Sequence, residues 1–191
     1  MMAGEAVPTT VWTIGHSTRP IEEFIGLLRG QAITQLVDIR TVPRSRHNPQ
    51  YEQDALRGTL TGAGIAYHQL KALGGLRPVR RDSVNSGWRN ASFRGYADYM
   101  QTDQFGQGIA DLIRMAEQAP TAIMCAEAVP WRCHRSLVGD ALLVRGVKVL
   151  DIIGGAVPRP HPLTSFAVVD GTRITYPGDD VAAPSAGSER S

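Results

Sequence analysis

Lysine is almost absent from this chain: of its 20 basic residues, 18 are arginine. A guanidinium is a planar two-pronged donor suited to phosphate and carboxylate. A GC-rich coding sequence gives the same bias, so the positions of the arginines say more than their number. Cysteine is scarce as well, with two in 191 residues. That excludes a secreted disulfide scaffold and makes a reducing cytoplasm the expected compartment. No apolar run approaches the ~20 residues that cross a bilayer, so no membrane partner is expected. The opening "MMAGEAVPTT" lacks the basic start and apolar core of a secretory signal. Net charge is only +2, too little for a global field that would mark a nucleic-acid binder.

What is present reads as an ordinary globular chain, 42% hydrophobic and 20% charged, long enough for one domain with a real core. Short β-rich runs at 11–15, 35–40, 65–70, 121–125 and 147–152 alternate with helical patterns. The first helix, "IEEFIGLLRG", has Thr18 as a cap candidate, Pro20 near its first turn, and Glu22 and Glu23 where the dipole favours acid. Further helices are expected over 51–61, 92–101, 103–118 and 134–146, and residues 76–91 form a long Arg-, Ser- and Asn-rich loop. "SFAVVDGTRITY" predicts a hairpin turning at Asp170-Gly171. The expected fold is a three-layer α/β domain over 11–177, a mostly parallel sheet flanked by helices with a C-terminal β-hairpin. Residues 1–10 are expected to be flexible, and 178–191 a disordered tail.

In such sheets ligands bind beyond the carboxyl ends of the strands, and the polar chemistry of this chain falls there. His16 and Ser17 follow the first strand. Asp38 and Arg40 close the second, followed by Arg44, Ser45, Arg46 and His47. Cys125, Glu127, Arg132, Cys133, His134 and Arg135 follow the fourth. Cys133 and His134 are expected in a helix's first turn, where amides and neighbouring arginines favour a thiolate. Asp38, Glu127 and His134 are the proton-transfer candidates. Each cysteine also reads as a small buried hydrophobe. A zinc site built from Cys125, Cys133, His134 and His16, or a reversible Cys125–Cys133 disulfide, are lesser options. His161, between two prolines, is expected at the surface. Trp88 and Trp131 are either loop plugs or stacking groups.

An ordered set of motifs adds to this: "TIGHS", "LVDIR", "NPQY", "FRGYADYM" and "CAE…P…CHR". Over residues 12–152 the chain resembles the domain of unknown function 488 family. The resemblance implies importance for His16, Ser17, Asp38, Arg40, Pro43, Ser45, Arg46, Cys125, Glu127, Cys133, His134 and Arg135, but names no reaction. It also implies a histidine near Asp151, which this sequence lacks.

The leading expectation is an enzyme acting on an anionic substrate: a nucleotide, a phosphorylated metabolite or modified nucleic acid. Cys125 or Cys133 would serve as nucleophile or redox thiol, and Asp38, Glu127 or His134 would handle protons. His16, Ser17, Arg40, Ser45, Arg46 and Arg135 would bind substrate. No cofactor is required by the sequence. The alternatives are a nucleic-acid-binding module using the arginine loop, and a thiol redox or metal sensor.

Overall fold

The computed structural model describes residues 8–155 and 157–178. Most of the expected flexible N-terminus (1–7) and of the expected tail (179–191) lies outside the described residues. The strands β1 (Thr10–Gly15), β2 (Gln35–Asp38), β3 (Ala66–Gln69), β4 (Thr121–Cys125), β5 (Lys148–Ile152) and β6 (Arg159–Pro160) form one sheet in the order β3-β2-β4-β1-β5-β6. Neighbours among the first five pair in parallel, and β6 pairs antiparallel with β5. Every residue of β4 is buried, as a central strand covered on both faces requires.

Among the described residues, five α-helices divide between the two faces. Helices α1 (Ile21–Gly30) and α2 (Gln53–Gly62) cover one of them. There Phe24, Leu28, Leu56 and Leu60 pack on Ile14, Leu36, Ala122 and Met124. Helices α3 (Ala91–Tyr99), α4 (Asp103–Gln118) and α5 (Arg135–Leu143) cover the other. There Tyr96, Phe105, Ile109, Leu137 and Leu142 pack on Val11, Val37, Ile123 and Val149. Each fully buried aliphatic or phenyl side chain contributes about 1.5–3 kcal/mol. Successive strand residues therefore alternate between two cores, the period of two that a pleated strand imposes.

The expected Thr18 cap does not form. Pro20 holds the cap position of α1, with no side-chain bond, because the chain enters the helix directly from its extended φ of −55° and ψ of 144°. Glu22, Glu23 and Arg29 still complement the dipole. The expected C-terminal hairpin is present as β7 (Val168–Asp170) and β8 (Arg173–Thr175), a separate two-stranded sheet. Asp170 pairs with Arg173, so the turn residues are Gly171, at φ 60°, and Thr172.

The long loop between Leu73 and Ala91 contains no regular element and is firmly anchored. The Asp98 carboxylate, on α3, accepts bonds from the Arg80 amide, the Ser83 hydroxyl and the Asn85 side-chain amide. Gly95 lets the loop close on α3, since a Cβ there would sit 2.1 Å from the Arg77 carbonyl oxygen. Among the described residues no helix is long and apolar enough to cross a membrane.

Candidate functional site

Connections leaving β1 and β2 run over the α1–α2 face, whereas the one leaving β4 runs over the α5 face. Neighbouring strands thus send their chains to opposite sides, which opens a crevice at their carboxyl ends. The His16 amide donates to the Cys125 carbonyl at 3.0 Å, Ser17 to Ala126 at 2.9 Å, and Ile39 to Met124 at 3.0 Å. All three sequence-predicted segments converge here.

Strand alternation then splits them into two clusters. On the α1–α2 side, Asp38 and Arg40 form a buried ion pair, with Nε–Oδ1 at 2.9 Å and Nη2–Oδ2 at 2.6 Å. The same carboxylate accepts from the Arg40 amide at 3.0 Å and from the Tyr67 hydroxyl at 2.8 Å. Arg40 Nη1 donates to the Tyr51 carbonyl at 3.0 Å and lies 3.4 Å from His16 Nε2. His16 stacks on Tyr51 at 4.2 Å. Burial, helped by the Arg40 charge, lowers its pKa to about 4, although its bond to the Ser17 carbonyl opposes this. With so many donors on it, the Asp38 carboxylate fixes Arg40 and the strand end. Ser17 has a positive φ of 48°, costly for a residue with a side chain.

On the α3–α5 side lies the thiol pair. Cys125 ends β4 and Cys133 closes a single 3-10 turn over Pro130–Arg132. Contrary to expectation, Cys133 and His134 precede the helix: His134 caps α5, which starts at Arg135. The extended backbone of Cys133, φ −137° and ψ 147°, turns its side chain back toward β4. The two sulfurs approach to 2.8 Å without being bonded, and both residues are buried.

Arg135 is fully buried behind them. Its Nη1 lies 3.4 Å from Cys125 Sγ and 3.4 Å from the Glu127 carbonyl, and Nη2 lies 3.4 Å from the Ala128 carbonyl. Its Nε has no partner, and among the described residues no carboxylate pairs with it. An uncompensated buried cation is costly, so a Cys125 thiolate is the anion this position favours. Burial pushes the Cys125 thiol up, but the Cys133 hydrogen bond, the Arg135 charge and the Glu127 backbone outweigh it and bring it below the ordinary value. Cys133 is raised, because it donates its S–H to the Cys125 sulfur and its site is buried. Gly15 is what lets Arg135 in: a Cβ there would lie 2.8 Å from Nη1 and 1.7 Å from the Glu127 oxygen.

His134 Nε2 lies 3.1 Å from the Ile39 carbonyl, so it carries the proton, and Nδ1 presents its lone pair 3.5 Å from Cys133 Sγ. Burial and the Arg135 charge lower its pKa to about 4, against the bond to Ile39.

The thiols open onto a cavity of about 420 Å³. Arg40, Arg44, Glu127, Arg132 and His134 line it, with Tyr96, Asn90 and Ser92 from the α3 side. Arg44 and Arg132 are exposed and make no ion pair among the described residues. Glu127 is exposed too, a single carboxylate against two free guanidiniums. His16, Ser17, Asp38, Ser45 and Arg46 do not line it. The Ser45 amide instead donates to Glu52, and Arg46 is exposed. Arg44 and the α3 wall were not among the expected binding residues; the "FRGYADYM" motif was the signal for the latter.

A family model described as domain of unknown function DUF488 matches residues 20–142, more than half of the chain. The chain belongs to the DUF488 family. No curated protein and no solved structure matches it. The family match spans β2, β4, both cysteines and Arg135, and so includes the thiol cluster.

Other expectations are resolved by placement. His16 lies in the Arg40 cluster, apart from the thiols, and among the described residues no group of three or more His, Cys, Asp or Glu could hold a metal. Trp88 is packed against Phe93, Phe166 and Tyr176 at 4.8, 4.9 and 5.5 Å. Arg77 lies over Tyr99, Arg80 pairs with Asp82, and Arg94 donates to the Trp88 carbonyl. The expectation of a surface His161 is overturned. It is 7% exposed, with Nδ1 2.8 Å from Asp151 and Nε2 3.4 Å from Asp140. The added strand β6 carries it there, since its amide bonds to the Val149 carbonyl. A histidine thus does stand beside Asp151, supplied from ten residues further along.

Proposed function

We propose that this protein is a thiol-dependent enzyme in which Cys125, held as a thiolate, attacks a small anionic substrate bound in the 420 Å³ cavity. The observation that carries this reading is the buried Arg135 guanidinium, which has no carboxylate partner among the described residues and lies 3.4 Å from the Cys125 sulfur. Cys133 donates to the thiolate and keeps its own proton. The cavity has the size of a single small-molecule site, and Arg44 and Arg132 at its rim favour an anion-bearing ligand such as a nucleotide or phosphorylated metabolite. Glu127 at the same rim is placed to exchange protons with bulk water. The nucleic-acid alternative has less support, because Trp88 is packed among aromatic rings, loop residues Arg77 and Arg80 are engaged within the protein, and Arg94 of α3 holds the loop through the Trp88 carbonyl.

Alkylation with a charged and a neutral reagent of like size tests both halves of the reading. Cys125 should react with iodoacetate faster, relative to iodoacetamide, than free cysteine does. The preference should fall to the free-cysteine ratio in Arg44→Gln/Arg132→Gln. A wild-type ratio equal to that of free cysteine would remove the anion site. Absence of label on Cys125 with either reagent would remove the nucleophile.

A further inference from the structure

The proposed function uses one thiol, but the structure provides two with distinct surroundings. Cys125 faces the Arg135 guanidinium, and Cys133 faces the unprotonated Nδ1 of His134. The sulfurs are 2.8 Å apart, and a disulfide requires about 2.05 Å. Closure therefore needs a shift of under about 1 Å, within the range of a side-chain rotation.

Resting on the thiolate reading above, we infer that Cys125 and Cys133 form a dithiol–disulfide couple whose substrate is an anionic low-molecular-weight disulfide. Cys125 is the attacking thiolate, Cys133 the resolving thiol, and His134 the acceptor of its proton. In the first step the Cys125 thiolate bonds to one sulfur of the substrate. The substrate S–S bond breaks, and one thiolate leaves and takes a proton from solvent. In the second, Cys133 passes its proton to His134 Nδ1 as its sulfur bonds to Cys125 Sγ. The bond from Cys125 to the substrate half breaks, and the second thiolate leaves with the proton from His134. The substrate has gained two electrons and two protons and becomes two thiols; the protein dithiol becomes a disulfide. Two thiols acting in reverse restore the dithiol. Arg44 and Arg132 at the rim select a carboxylate-bearing disulfide over a cationic one.

Incubation of the full chain with excess glutathione disulfide, followed by mass spectrometry and thiol counting, tests this. Wild type should release two glutathione thiols per chain and end as an internal Cys125–Cys133 disulfide. Cys133→Ala should release one and stop as a mixed disulfide on Cys125. His134→Gln should reach the mixed disulfide normally and resolve it more slowly. Cystamine, a cationic disulfide, should react on the order of tenfold more slowly than glutathione disulfide. A stable mixed disulfide on Cys125 in wild type overturns the resolving role while leaving the nucleophile intact. Equal rates with the two disulfides overturn the substrate class. Alkylation of Cys125 with no reaction toward either disulfide overturns the couple alone. A Cys125 inert to alkylating agents as well as disulfides sinks this inference together with the function proposed above.

Discussion

At the scale of single residues the account turns on which groups are left without a partner. Arg135 is buried with no carboxylate partner among the described residues, and its Nη1 lies 3.4 Å from the Cys125 sulfur. The sequence displayed Cys133-His134-Arg135 as neighbours, but adjacency in a chain gives no burial, and the missing counter-ion became visible only in three dimensions. Arg135→Lys keeps a cation while shortening its reach, so the midpoint of Cys125 alkylation should move to higher pH with the fold retained. Alkylation across a pH series, beside a circular dichroism spectrum, checks both. Gly15 was legible as part of "TIGHS" but not as a packing constraint. Gly15→Ala brings a Cβ to 1.7 Å from the Glu127 oxygen, so backbone must move. Destabilisation at or beyond the upper end of the about 1–3 kcal/mol usual for overpacking is expected, measured by chemical denaturation.

At the scale of elements, strand periodicity decided what the strand-end rule left open. The expected residues did gather beyond β1, β2 and β4, yet Asp38 and Cys125 project to opposite faces of the sheet and serve different clusters. The alternation needed to see this was in the sequence: Leu36 and Val37 already belong to different cores. What the sequence could not show was the saturation of Asp38 by Arg40 and Tyr67. Asp38→Asn leaves a buried guanidinium without its partner. A loss of about 3–5 kcal/mol is expected in urea unfolding. The arginine loop was readable as a loop, whereas its anchor on Asp98 was not, because Asp98 lies inside a helical pattern. Asp98→Ala should release the loop, and trypsin should then cut after Arg80 or Arg81 far faster than in wild type. Unchanged cleavage would show that Asn85 and Gly95 suffice to hold it.

At the scale of the whole molecule, a doubly covered parallel sheet was legible from alternating strands and helices, and the sheet order, set by contacts distant in sequence, was not. His161 shows why long-range placement escapes local patterns. Flanking prolines read as surface, but β6 adds it to the sheet and seats it between carboxylates on α5 and β5. Burial pushes its pKa down, and the bonds to Asp140 and Asp151 outweigh that and raise it to about 9. A raised folded value means the stabilisation is complete below about 6.5 and is lost as pH rises through about 9. Stability should therefore fall across that window in wild type and fall less in His161→Gln, by denaturant titration at several pH values. His16 and His134, each lowered to about 4, act oppositely: the unfolded chain takes up protons first, so stability should also decline as pH drops from about 6.5 toward 4.

The central claim is the thiolate at Cys125, and its ionisation can be followed site by site. Alkylation of Cys125 by iodoacetamide across a pH series, read by peptide mass spectrometry, gives its midpoint directly. A midpoint below the free-thiol value of about 8.5, moving upward in Cys133→Ala, is the predicted result. A midpoint at or above that value in wild type would contradict the account.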